Sequence, residues 1–206
     1  MINTANGVDT AKAIETLGKG GVVLCPTDTV WALMCDFKNA KAVESIHNIK
    51  QGSCKPMAVL CDSLDCINNL KVEFTSSAQK LADAFWPGSL TLILKSHLVG
   101  IGHIAGENNS LGIRIPDSKK LIELINRFGC PVAATSANIY SHEPSIILDD
   151  IPVSIQSEVD CIWNSDISPL GKASTVVDCT HEKFRIIREG ALSSIEIRKI
   201  AGRYDR

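Results

Sequence analysis

The 206-residue sequence has no apolar stretch long enough to span a bilayer, and residues 1–7 lack the basic start and apolar core of a signal peptide. It has no block of like charge and no proline or glycine tract, which argues against long disordered or low-complexity segments. Its eight cysteines form no Cys-x-x-Cys pair and its five histidines no His-x-x-x-His pair, so the ligand spacing of a structural zinc or transition-metal site is missing. No Gly-x-Gly-x-x-Gly follows a strand. "SPLGKAST" fails as a P-loop, because Ala173 stands where a hydroxyl residue belongs and the earlier glycine is missing. A formal net charge of -2 excludes the broadly basic surface of a general nucleic-acid binder, while a local basic pocket stays allowed. Together these absences predict a cytoplasmic protein with no membrane segment and no structural metal.

What is present is the composition of a globular protein, with 45% hydrophobic and 21% charged residues. The length favours one domain with one core. Most cysteines sit in apolar runs such as 22–25 and 57–61, which reads as buried thiols in a reducing compartment.

Periodicity predicts an alternation of helices and strands. Helices are expected over 9–19, over 39–50 with Asn39 as cap, over 76–85 closed by Pro87 and Gly88, over 118–128, and over 193–202. Strands are expected over 22–25, 57–61, 89–95, 111–115 and 131–135, and near 161–163, 174–177 and 184–188. This order mixes βα units with successive strands, and predicts an α/β fold with a twisted mixed sheet flanked by helices.

The stretch "GGVVLCPTDTVWALMCD" (20–36) interrupts two apolar runs with a polar knot. Pro26 lacks a backbone donor, so the strand is expected to end near Cys25 and to expose Thr27, Asp28 and Thr29 at its carboxyl end, where α/β sheets bind ligands. Other segments repeat the construction. The strand over 131–135 runs into Ser136-Ala137-Asn138, Arg114 lies inside an apolar strand, and Arg188 does so in "RIIREG". A guanidinium there is costly without an anionic partner. With Lys50 at a helix end and Lys55 before the next strand, these groups suit a ligand bearing phosphate and carboxylate. Structural salt bridges and solvated lysines are the competing readings for each residue alone.

The segments "CPTDTVWAL", "IKQGSCKPMAVL", "FWPGSLTLIL", "LGIRIPD", "AATSAN", "STVVD" and "RIIREGAL" occur in that order and resemble the YrdC/TsaC family over about residues 10–192. The resemblance implies a single YrdC-like domain over 1–206 with a concave ligand pocket and no additional C-terminal domain. It also implies the activity of a threonylcarbamoyl-AMP synthase, which joins L-threonine, bicarbonate and ATP, with Mg²⁺, into threonylcarbamoyl-AMP and pyrophosphate. Transferase proteins then pass the group to tRNA as t6A at position 37, so those proteins and tRNA are implied as indirect partners.

Matched position by position, the family implies that Thr29 and Arg114 hold the amino acid, Arg114 through its carboxylate. Ser136 and Asn138 contact substrate and adenylate, Ser174 belongs to the Ser-Thr-Val motif, Arg188 meets the nucleotide phosphate, and Ser110 contacts the nucleotide. Lys50 matches the first cation of a motif that steadies the triphosphate, and Lys55 matches another ATP-contacting position. Departures are also visible: the Lys-x-Arg motif reads Lys50-Gln51-Gly52, Asp28 shortens a glutamate, Trp31 replaces a tyrosine, and Ala32 and Met34 replace glycines. Trp31, expected beside the pocket, is a candidate fluorescent reporter. Two alternatives stay open, namely a paralogue that binds nucleotide or structured, double-stranded RNA without this catalysis, and a carbamoyl-adenylate-forming enzyme.

Overall fold

The computed structural model describes residues 10–51, 56–139, 143–165 and 167–202. Its elements in chain order are α1 (Thr10–Gly18), β1 (Val23–Pro26), β2 (Trp31–Asp36), α2 (Ala40–Ile49), β3 (Ala58–Leu60), α3 (Leu64–Asn68), α4 (Ser76–Phe85), β4 (Leu90–Lys95), β5 (Ser110–Arg114), α5 (Lys119–Phe128), β6 (Val132–Ser136), α6 (Val153–Gln156), β7 (Cys161–Ile162), β8 (Thr175–Asp178), β9 (Arg185–Arg188) and α7 (Ser194–Ala201). Among the described residues the strands form one sheet in the order β7-β1-β2-β6-β3-β5-β4-β8-β9. The pairs β1/β7, β3/β5 and β4/β8 are parallel and the others antiparallel, so the mixed sheet expected from the sequence is observed.

Local chemistry starts and stops the helices where the sequence places them. The Asn39 side chain accepts from the backbone N–H groups of Lys41 and Ala42, and Ser118 accepts from Leu121. Ser193 and Glu196 form a reciprocal capping box on α7. Gly129 ends α5 at φ +77°, a left-handed position that favours glycine.

Two runs depart from expectation. The apolar run 31–36, given no strand by periodicity, is β2, which is flanked by β1 and β6 and buried almost throughout. A strand covered on both faces reads as continuous apolar sequence and loses its alternation. β1 also extends through Pro26, which pairs with Trp31. β7 pairs only with Val23 and Leu24, so Pro26 has a strand on one side alone and its missing donor breaks no second ladder.

Alternation along the strands sorts side chains onto two faces. One face carries Leu33, Val59, Leu92, Ile113, Ala133 and Val177 into the main core, beneath α2, α4 and α7. On the other, Val23, Cys25, Met34 and Val132 pack under α1 and α5. That face also bears a row of small residues, Ala32, Ala58, Gly112 and Ala134, which line a cavity of about 700 Å³. Small side chains at alternate positions of neighbouring strands leave this space without disturbing the core behind them.

Burial holds for five of the seven described thiols. Cys25, Cys35, Cys61, Cys161 and Cys179 are buried, while Cys66 and Cys130 are half-buried. Burial pushes the Cys35 and Cys179 thiols up to about 12 and Cys25 higher still, so they behave as small apolar groups. No helix of the described residues is long and apolar enough to cross a membrane.

Candidate active site

The polar knot at 27–29 is the turn joining β1 to β2. Thr27 Oγ1 donates to the Val30 carbonyl at 2.7 Å and accepts from the backbone N–H groups of Thr29 and Val30. Because that single hydroxyl proton goes to Val30, the 2.9 Å bond between Thr27 and Thr29 runs from the Thr29 hydroxyl to Thr27 Oγ1. All three polar residues are buried, which corrects the expectation that they stand exposed: Leu170 and Gly171 donate backbone bonds to the carbonyls of Asp28 and Thr29 and close over them.

The chemical reason for the knot is Arg114. This side chain is 5% exposed, and three of its N–H groups are occupied: Nε on the Gly88 carbonyl at 2.9 Å, Nη1 on Thr29 Oγ1 at 2.9 Å and Nη2 on Asp28 Oδ2 at 2.6 Å. Burial pulls the pKa of Arg114 down, Asp28 opposes the shift, and the charge of Arg188 adds to it. A guanidinium starts high enough to stay charged at neutral pH. Two N–H groups remain after these bonds, and Thr29 keeps one acceptor lone pair. The turn at Trp86-Pro87-Gly88 serves the same residue: Gly88 donates to Ile115, Trp86 Nε1 donates to Leu90, and the Gly88 carbonyl reaches Arg114.

A second anchor lies across the cavity. Ser174 Oγ pairs with Thr91 Oγ1 at 2.8 Å, and Arg188 reaches the Ser174 carbonyl through Nε at 3.2 Å and Nη2 at 2.8 Å. Next in sequence, Thr175 is fully buried and its Oγ1 ties down the turn after β9 through Gly190 and Leu192. A Cβ on Gly190 would lie 2.1 Å from the Ala173 carbonyl oxygen and 2.7 Å from that of Ser174. Gly190→Ala is therefore expected to destabilise the protein by roughly 1–3 kcal/mol, read as a lower Tm, and to weaken ligand binding because Ser174 shifts. An unchanged melt would show that the turn can move aside.

A family model for Sua5, YciO and YrdC proteins, described as "Telomere recombination", matches residues 15–190. The chain belongs to this family. A Methanocaldococcus jannaschii relative, provisionally named a threonylcarbamoyl-AMP synthase, is 33% identical over 95% of this chain and 93% of its own length. The structure of P. abyssi Sua5 complexed with L-threonine superimposes with a TM-score of 0.87 at 29% identity, covering 94% of this chain and 57% of that one. E. coli YciO superimposes with a TM-score of 0.82 at 25% identity, covering 91% of this chain and 92% of its own.

In this Sua5/YciO/YrdC protein the fold brings Thr29, Ser110, Arg114, Ser136, Ser174 and Arg188 together on the wall of one cavity. Lys50 and Asn138 are not in that lining. The Lys50 ammonium donates to the Ser136 carbonyl at 2.6 Å, the Asn138 carbonyl at 2.7 Å and Asn138 Oδ1 at 3.2 Å, and Ser136 Oγ donates to the same Oδ1 at 2.5 Å. A buried ammonium has to place its protons on acceptors, and here it braces the Ser-x-Asn corner from behind rather than facing the cavity. Lys55 and Gly52 lie outside the described residues. Trp31, expected beside the pocket, instead points into the main core with Nε1 on the Ile146 carbonyl, because β2 alternates and Ala32 takes the cavity side.

Sequence reasoning missed Thr91, Glu107, His181, Lys183 and Arg185, all of which line the cavity. Period-two spacing of Lys183, Arg185 and Ile187 was the available signal for the last group. Asp28, read as part of the polar knot and as a shortened glutamate, is the carboxylate that Arg114 meets, a pairing the sequence does not show.

Proposed function

We propose that this chain is a threonylcarbamoyl-AMP synthase that combines L-threonine, bicarbonate and ATP. The observation that carries the proposal is the cavity itself, with a buried, fixed guanidinium at Arg114 and a second at Arg188 facing the same space. Its volume suits a small-molecule site. The bound threonine of the P. abyssi Sua5 structure agrees with an amino acid as one occupant.

In this reading the two remaining N–H groups of Arg114 hold the threonine carboxylate and the Thr29 oxygen accepts from the substrate. Ser136, held in place by Lys50 and Asn138, meets the carbamate and adenylate. Ser110 and Ser174 flank the nucleotide, Arg188 faces its phosphates, and Pro56, Met57 and Ile93 offer apolar wall to the base. The carbamate carboxylate of N-carboxy-threonine attacks the α-phosphorus of ATP, a new O–P bond forms, and the bond to the pyrophosphate oxygen breaks. No protein nucleophile is required. Alignment and charge neutralisation supply the acceleration. Mg²⁺ enters with ATP as part of the substrate; among the described residues no cluster of three or more His, Cys, Asp or Glu could hold a metal by itself, and the lining carboxylates are Glu107 and Asp178. Transferase proteins acting on tRNA would consume the adenylate, and Lys55 would serve the triphosphate.

Incubation of the purified protein with ATP, Mg²⁺, L-threonine and labelled bicarbonate is expected to give labelled threonylcarbamoyl-AMP and pyrophosphate. Thr29→Ala should raise the threonine requirement several-fold, the effect of one lost hydrogen bond, and Gly52→Arg should accelerate the reaction. Absence of labelled adduct from both the wild type and Gly52→Arg would refute the synthase reading.

A further inference from the structure

The charge of the cavity differs from that of the chain. The protein carries a net -2, yet the lining contains four permanent cations, Arg114, Lys183, Arg185 and Arg188, against two carboxylates, Glu107 and Asp178. Low-dielectric walls around one sign of charge raise the local concentration of the opposite ion. Arg114 is enclosed by Asp28, Thr29 and Gly88, and Lys50 is turned into the Ser136 corner. With Arg114 given to the threonine carboxylate, the lining cations that remain for a phosphate among the described residues come from one element, the β8–β9 hairpin.

The hairpin presents them by strand alternation. Phe184 and Ile186 pack into the core, so Lys183 and Arg185 face the cavity side, and a bulge at Ile187, where Arg188 pairs with Val176, brings Arg188 onto the same side. Lys183 is exposed and makes no ion pair among the described residues. Arg185 meets Asp178 only at 3.4 Å, with its side chain 75% exposed, while the other Asp178 oxygen is occupied by the backbone and hydroxyl of Thr180. Such a pair is weak in water and exchanges readily for a better acceptor. Arg188 beside them is fixed on Ser174 through Nε and Nη2, which leaves its Nη1 group without a partner among the described residues. One ammonium and two guanidinium groups lining the same cavity offer several donors to the acceptor oxygens of a phosphate chain.

We propose that the β8–β9 hairpin is a pyrophosphate subsite, in which Lys183 and Arg185, next to Arg188, receive the two terminal phosphates of ATP and the pyrophosphate it releases. The proposal rests on the nucleotide reading of the cavity. It also supplies the positive charge that Gly52 does not.

The test is calorimetric titration of the full chain with inorganic pyrophosphate, AMP and L-threonine as separate probes. In Lys183→Ala/Arg185→Ala the pyrophosphate affinity should fall at least about tenfold, or about 1.4 kcal/mol, while AMP and threonine titrate within about twofold of wild type. Asp178→Asn should tighten pyrophosphate, since it frees Arg185 and removes a negative charge. Both hairpin side chains are exposed, so the melt should not move; if it does, Lys183→Gln/Arg185→Gln repeats the test with side-chain volume kept. Wild type that does not bind pyrophosphate, or binds it equally well without the two cations, overturns the subsite. Hairpin-dependent pyrophosphate binding by a protein that forms no threonylcarbamoyl-AMP keeps the subsite and removes the synthase reading instead.

Discussion

Arg114→Ala is expected to lower the stability of the protein by about 3–5 kcal/mol and to abolish threonine binding. The size follows from what is left behind. Asp28 is 7% exposed, its Oδ2 is held by Arg114 at 2.6 Å, and its Oδ1 is buried with no hydrogen-bond partner among the described residues. Removing the guanidinium strands a buried carboxylate, and frees the Gly88 carbonyl and Thr29 hydroxyl as well. At roughly 2–4 °C per kcal/mol for a chain of this size, the Tm should drop by on the order of 10 °C. Arg114→Met combined with Asp28→Asn removes both charges and should recover most of that stability without recovering threonine binding. This separates the structural from the binding role. Arg114→Lys should keep the charge but lose the fork, giving intermediate stability. If Arg114→Ala melts like wild type, the buried pair is not what holds the turn at Thr27–Val30.

Lys50→Met is expected to leave the fold intact but to reduce kcat/KM on the order of 10²-fold, because the Ser-x-Asn corner would lose its brace and Ser136 its position. The same residue predicts a pH dependence. Burial lowers the Lys50 pKa from its usual 10.5 to about 8. Above pH 8 the folded protein begins to lose this proton, and a neutral amine has two donors for three acceptors. Activity should therefore fall on the alkaline side with a midpoint near 8. Stability moves the other way. Between about pH 8 and 10.5 the unfolded chain holds the Lys50 proton that the folded chain has released, so the contribution of this group to folding rises with pH there and is lowest below 8. Loss of activity without loss of Tm is the expected signature, and Lys50→Arg, which stays protonated, should remove the alkaline limb. A limb that persists in Lys50→Met would assign it to another group.

The contrast between these residues shows what was legible beforehand. Helix limits followed from Asn39, Ser118, Ser193 and Gly129, whose effects reach only to the next turn of the same helix, and β4, β5 and β6 followed from short apolar runs bounded by turn residues. Thr29 and Ser136 stand out as polar groups at strand ends, Arg114 and Arg188 as cations inside apolar strands, and Ser110 and Ser174 through the family resemblance, and the cavity gathers all six. β2 escaped because burial on both faces removed its period. α3 and α6, five and four residues long, escaped because one helical turn carries too little pattern.

By itself the sequence determined most of the local elements, the mixed α/β class, the buried character of most of the thiols and the stock of cations and hydroxyls available to an anionic ligand. Tertiary structure decided what each of those groups does. Arg114 at the end of β5 finds Asp28 in the β1–β2 turn across 86 residues, Lys50 at the end of α2 finds Ser136 at the end of β6 across 86, and Thr91 on β4 finds Ser174 just before the neighbouring β8 across 83, pairings set by which element ends the sheet order brings together. Propensity and capping act over a few residues, whereas the partner of a buried charge is set by which strands the whole core places side by side.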